Sequence, residues 1–83
     1  MFVHIGNNNF VNAGRVIAVT VYNSVPMKRA FKRAIDNNMA VDCTAGRRTR
    51  SLIFMDSGHV IAASLTSSAI VARISDKERT DSQ

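Results

Sequence analysis

Three arginines occupy four consecutive positions in Gly46-Arg47-Arg48-Thr49-Arg50. A guanidinium group is planar, permanently charged, and presents a fork of N–H donors that matches two oxygens of one phosphate. The glycine ahead of them permits a tight turn with exposed backbone N–H groups, which are further anion donors. If a strand starts at Arg48, then Arg48 and Arg50 share a face while Arg47 and Thr49 point elsewhere. Such a loop suits phosphates along a duplex or a single phosphorylated ligand. The competing reading pairs an arginine with Asp42 or Asp56 and leaves the rest to water, but three clustered arginines exceed those two acids.

Other chemistry-bearing residues are more scattered. Lys28, Arg29, Lys32 and Arg33 fall within six positions, and Arg15 opens an apolar stretch. These are either an extension of a basic surface or ordinary solvated cations. His4 and His59 are far apart with Cys43 between them, a spacing unlike any zinc site. Asp56 and His59 sit close enough for an acid–base pair, yet no activated nucleophile accompanies them, and a hydrogen bond closing a turn is the simpler reading. Cys43, flanked by strand-forming residues, reads as a buried thiol. No nucleotide-binding fingerprint or metalloprotease motif is present, and no cofactor or metal is expected.

The charge balance agrees with an anionic partner. Eight basic residues lie between Arg15 and Arg50 against two acids, so that window carries +6 of the net +5, and the remainder is −1. A basic middle favours nucleic acid first and an anionic membrane surface second, although a plain soluble basic surface also accounts for it. Eighty-three residues make one small domain, whose core is marginal enough that association would help it. No apolar run approaches the length of a membrane span. A single cysteine and a start without signal-peptide character lead to the expectation of a reducing, cytoplasmic setting, at the nucleoid if the partner is DNA.

The elements that must position these residues follow from periodicity. Phe2 to Ile5 and Phe10 to Asn12 read as short strands separated by the turn-prone Asn7-Asn8-Asn9. Arg15 to Tyr22 is β-branched and apolar on both alternating faces, the pattern of a strand covered on both sides, by a helix on one face and by another subunit on the other if the chain associates. Asn23-Ser24 then caps a helix with Pro26 in its first turn. Met27, Ala30, Phe31, Ala34 and Ile35 form its apolar stripe, which leaves the four cations on its flanks. Asn37-Asn38 suits its C-terminus. Met39 to Cys43 is a strand. Ser51 to Met55 and Val60 to Leu65 form a hairpin around Asp56-Ser57-Gly58-His59. Ser67 to Ile74 makes a short last helix, and the residues from Ser75 to Gln83 are expected to be a mobile polar tail. The class is α+β: a single small domain with a mixed or mostly antiparallel sheet, one main basic amphipathic helix and a short C-terminal helix.

The stretch "SVPMKRAFKRAIDNNMAVDCTAGRRTRSLIFMDSGHVIAASL" resembles the RemA family, small bacterial regulators of extracellular-matrix genes. Ile5-Gly6, Asn9 and Arg15-Val16-Ile17-Ala18 match upstream without a gap, and the similarity covers roughly residues 2–74. The D-x-T-x-G-R-R-T-R run is distinctive for so short a chain. The resemblance implies a non-enzymatic, DNA-binding transcriptional activator of biofilm-type matrix genes, acting as a ring-like homo-oligomer. It implies DNA contact through Arg47 and Arg48 with support from Arg15, and a functionally sensitive Pro26. This sequence departs from the family pattern at Asn8, Asn38, Cys43 and Ala45. None of these removes a cation, but Ala45 stands where an aromatic is frequent.

Residues and resemblance together lead us to expect that duplex DNA is held by Arg47, Arg48 and Arg50, with Arg15, Lys28 and Arg29 contributing. Pro26 and Gly46 are expected to act through architecture and assembly. Self-association is expected, and membrane binding is not. Two other classes stay open: an RNA-binding module, disfavoured by few aromatics and no aromatic motif on a strand, and a phosphate-ligand enzyme combining Gly46 to Arg50 with Asp56 and His59.

Overall fold

Strand β1 (Phe2–Gly6) turns back into β2 (Asn9–Asn12) through Asn7 and Asn8, which both have positive φ. Two left-handed residues in a two-residue loop match the right-handed twist of the flanking strands, and asparagine tolerates that conformation better than most. The computed structural model describes residues 1–81, with side chains through residue 76. A single 3₁₀ turn at Ala13–Arg15 leads into β3 (Val16–Val21). Helix α1 (Val25–Asp36) follows, then β4 (Ala40–Asp42), β5 (Ser51–Met55), β6 (Val60–Ala63) and helix α2 (Ser67–Asp81).

The main sheet has the order β3-β5-β6-β4. β5 is antiparallel to both β3 and β6, while β4 runs parallel to β6. Thus β3, α1 and β4 form a parallel crossover with the β5–β6 hairpin inserted between its strands. The central strands are apolar on both faces because both faces are covered. Leu52, Val60 and Ala62 face α1, packing with Ala34, Met27, Phe31 and Tyr22. Ile53, Ile61 and Ala63 face the other way, against Ile5 and Val11 of the β1–β2 hairpin and Ile70 of α2. The architecture is α+β, and each expected strand forms within two residues of its expected bounds.

β3 is an edge strand whose Ile17 and Val21 are 69% and 52% exposed in the single chain, which leaves open the face that another subunit was expected to cover. Two expectations need correction. Ile35 was assigned to the buried stripe of α1 but is 52% exposed, because it lies beyond the edge of the sheet face that Ala34 meets. The second helix is not short. Its backbone stays helical to Asp81, past the Ile74 limit drawn from apolar spacing, since a helix already nucleated propagates at little cost. Of the expected mobile tail, residues 82–83 lie outside the described residues.

Candidate nucleic-acid interface

The arginines leave a turn rather than a strand. The Arg47 N–H donates to the Thr44 carbonyl at 3.0 Å, closing a turn whose two central residues, Ala45 and Gly46, have φ of 54° and 78°. Both values are left-handed, the signature of a type I′ turn. A Cβ on Gly46 would meet nothing within 4 Å, so glycine is required there by conformation and not by space. Strand β5 begins only at Ser51, not at Arg48. The ladder nevertheless reaches Arg50, whose N–H donates to the Ala63 carbonyl and whose carbonyl accepts from Tyr22 N–H.

Three side chains brace the root of this turn. Asp42 Oδ1 accepts from the Thr44 N–H at 2.9 Å and from its hydroxyl at 2.6 Å. The hydroxyl bond, then the backbone bond, holds the Asp42 carboxyl below its ordinary range. Asn7 Nδ2 donates to the carbonyls of Cys43 and Thr44, both at 3.2 Å, and to Ser64 Oγ at 3.1 Å. Asn9 Nδ2 adds a bond to the Cys43 carbonyl at 3.3 Å. The tip of the β1–β2 hairpin is therefore fastened to the segment that aims the arginines. Cys43 is half-buried rather than fully buried, and burial, aided by the Asp42 charge, pushes its thiol up and away from nucleophilic use.

Arg47, Arg48 and Arg50 are exposed, and among the described residues none has an ion-pair partner. The acids that might have neutralised them are engaged elsewhere, Asp42 with Thr44 and Asp56 with Arg15. Arg48 and Arg50 line a groove whose far wall is Thr66, Ser67 and Ser68, with Asn23 at one end. A neighbouring groove joins Arg47 to the same two arginines beside Ser64. Thr66 caps α2, its Oγ1 accepting from Ala69 N–H and its carbonyl from Ile70 N–H. The first turn of α2 thus opens on the arginine groove with the positive end of its dipole, hydroxyls and guanidinium groups in one concavity. That arrangement can hold the oxygens of a phosphodiester.

The remaining expected site residues are placed less uniformly. Ser24 Oγ caps α1 at the Met27 N–H, 3.3 Å away, and Pro26 occupies the first turn. Asn23, at the end of the groove, leads directly into this helix, so Lys28 and Arg29 stand exposed on the turn closest to it, and Lys32 and Arg33 lie further along. Arg15 is at the other end of the sheet. Its Nε donates to both Asp56 oxygens, at 3.0 and 3.1 Å, and the Asp56 N–H donates to its carbonyl. Val16 pairs with Met55 while Val21 pairs with Ser51, and Arg15 lies opposite Asp56, so about 20 Å of strand separates Arg15 from Arg50 at the arginine turn.

The same separation removes the enzyme constellation. Asp56 and His59 lie in the β5–β6 turn, a strand length from Gly46 to Arg50, and His59 Nδ1 bonds Ser57 Oγ at 2.7 Å rather than Asp56. Sequence reasoning missed the bracing role of Asn7 and Asn9, the groove wall at Ser67 and Ser68, and the aromatic face of the first hairpin. On that hairpin Phe2, His4 and Phe10 all point outward because Val3, Ile5 and Val11 point in, so an aromatic strand surface exists after all.

Known proteins share this chain's pattern. The family model described as RemA-like, extracellular matrix regulatory protein A-like, matches residues 2–74. A protein of Carboxydothermus hydrogenoformans named as regulatory is 42% identical over 93% of this chain and 88% of its own length. A Brevibacillus brevis protein so named is 42% identical over 92% and 88%. One from Bacillus cytotoxicus is 40% identical over 93% and 88%.

Proposed function

Because the chain belongs to the RemA-like family of regulatory proteins, we propose that it regulates transcription by binding duplex DNA as a homo-oligomer, without catalysing a reaction. The observation that carries this reading is the set of three exposed arginines, without an ion-pair partner among the described residues, on a turn braced by Asp42, Asn7 and Asn9. Phosphate contacts give affinity and register but little sequence information, so target choice rests largely on the deformability of the duplex. Helices α1 and α2 each pack on a face of the sheet, and they are not joined as a helix-turn-helix, so a recognition helix is not part of this reading.

One copy of the turn offers few phosphate contacts, and repetition around an oligomer turns weak contacts into avidity. Support for association comes from the apolar side chains that a single chain leaves open, Ile17 and Val21 on the β3 edge, Ile35 on α1 and Val41 on β4. In a ring, the Arg15 of one copy and the arginine turn of the next are then both available to one duplex. Activation of extracellular-matrix genes is the family-level form of this proposal, and the nucleoid is its setting.

The test is a titration of labelled duplex DNA against the protein over a salt series, with light scattering of the same samples. Log K should fall linearly with log salt, by about 0.9 for each phosphate neutralised. A protein that stays monomeric and leaves duplex unbound at low salt overturns the proposal.

A further inference from the structure

The outward face of the β1–β2 hairpin carries three rings and a cation that the duplex reading does not use. Phe2 and Phe10 are 65% and 60% exposed. His4 and Phe10 are cross-strand partners with ring centroids 5.1 Å apart. Phe2 pairs with Asn12, two residues from Phe10 on the same face, so the two phenylalanines are diagonal neighbours across the hairpin. Arg73 of α2 is pinned at the border of this strip: its Nη1 donates to the His4 carbonyl at 2.9 Å and contacts His4 Nδ1 at 3.1 Å.

We propose that this face is a stacking surface for unpaired nucleobases, so that the protein binds single-stranded nucleic acid through residues separate from its arginine turn. Every base has a π-face, and exposed rings beside a fixed cation are what a flexible strand needs: rings for bases, a guanidinium for the phosphate between them. Charge complementarity selects this occupant. The chain contains no acidic residue before Asp36, so nothing on the hairpin repels a phosphate. The hairpin also points its turn at the arginines, since Asn7 and Asn9 bond the carbonyls just ahead of them. His4 lies three residues from Asn7, about 10 Å along the strand. The aromatic strip therefore ends close to the arginine turn without including it. Together the two surfaces suit a junction at which duplex opens into single strand.

The test uses the intact protein, a labelled thymidine homopolymer and a labelled duplex, read by fluorescence anisotropy, with light scattering on every sample. Replacing Phe2→Leu and Phe10→Leu together keeps apolar bulk and removes the π-faces. Single-strand affinity should fall about thirtyfold or more, the size of two lost base–ring stacks, while duplex affinity holds. Replacing both with Tyr should retain single-strand binding. Part of the wild-type affinity should also survive high salt, because stacking releases no counterions. A leucine variant that binds the homopolymer as wild type does overturns the inference. So does a leucine variant of altered mass, which makes the face a contact between copies. Wild-type protein that binds duplex but not homopolymer defeats this inference and leaves the proposed function standing. Binding of homopolymer alone does the reverse.

Discussion

The side-chain amide of Asn7 donates to the backbone carbonyl of Thr44 at 3.2 Å, across 37 positions of sequence. One hydrogen-bond donor thus couples the first hairpin to the turn that carries the cations. In Asn7→Ala the carbonyls of Cys43 and Thr44 lose this donor and the turn loses one of its braces. Stability should drop by about 1–2 kcal/mol, and duplex affinity should fall although no cation is touched. Thermal melting and anisotropy on the same preparation check this. Lower stability with unchanged affinity would mean that the brace supports the fold alone.

Arg47 and Arg48 should carry most of the salt dependence. Each copy that loses a phosphate contact removes about 0.9 from the slope of log K against log salt, so an oligomer should lose several units from a single substitution. Arg47→Ala or Arg48→Ala should nearly abolish binding at physiological salt. Because both side chains are exposed and unpaired, circular dichroism and oligomer mass should not change. Lys32→Ala, farther along α1, is the control and should weaken binding less. A double Arg47/Arg48→Ala protein with wild-type slope would place the site elsewhere.

Arg15 and Asp56 offer a test of opposite sign. Their bridge is exposed on both sides, so breaking it should change stability by no more than about 1 kcal/mol. Asp56→Ala releases a paired cation and removes an anion, and duplex affinity should rise with a steeper salt slope. Arg15→Ala should lower affinity less than Arg47→Ala does. If Asp56→Ala weakens binding, the carboxylate is there to hold Arg15 in a productive pose.

Much of the scaffold was legible because it rests on local signals. The doubly apolar β5 and β6, the Ser24 cap, Pro26 in the first turn and Asn38 with φ of 58° all form as periodicity and turn chemistry demand. The arginine turn was legible too, since clustered charge has no place in a core. The parts that were missed depend on distance in sequence. Nothing local says that Asn7 will meet Thr44, that Asp56 will take Arg15, or that Ser67 and Ser68 will face Arg48. The aromatic strip was hidden for a related reason: Phe2, His4 and Phe10 become a surface only when two strands register side by side.

Pro26→Ser should leave a folded domain with altered DNA binding or assembly. Proline fixes the entry angle of α1 immediately after Asn23, which borders the arginine groove. Serine allows that first turn to fray and re-aims Lys28 and Arg29. Melting should shift little, while the duplex titration or the light-scattering mass should move. Wild-type values in both assays would remove this role.

Acid should act through Asp42. Its carboxyl is held below the ordinary value of 3.8 by the Thr44 hydroxyl and then the Thr44 backbone N–H. A depressed folded value means that the contribution to stability is fully present above the unfolded value and is lost as pH falls through the folded one. Stability attributable to this group should therefore be flat through neutral pH and decline only below about pH 4. Urea unfolding of wild type and Asp42→Asn across that range checks it: the difference between them should shrink in acid. A difference that grows instead would reverse the assignment.

The fastening of the arginine turn to the chain's first nine residues has a consequence for folding on the ribosome. Those residues are made before their partners at Cys43 and Thr44, which emerge more than thirty residues later. A nascent or frayed chain consequently displays its arginines on a slack loop, in which ordering them against phosphate costs entropy that the finished domain has already met. On the proposed reading, competence for nucleic acid is gained late, when the hairpin docks. Any agent that pries the hairpin loose disarms the cations without touching them.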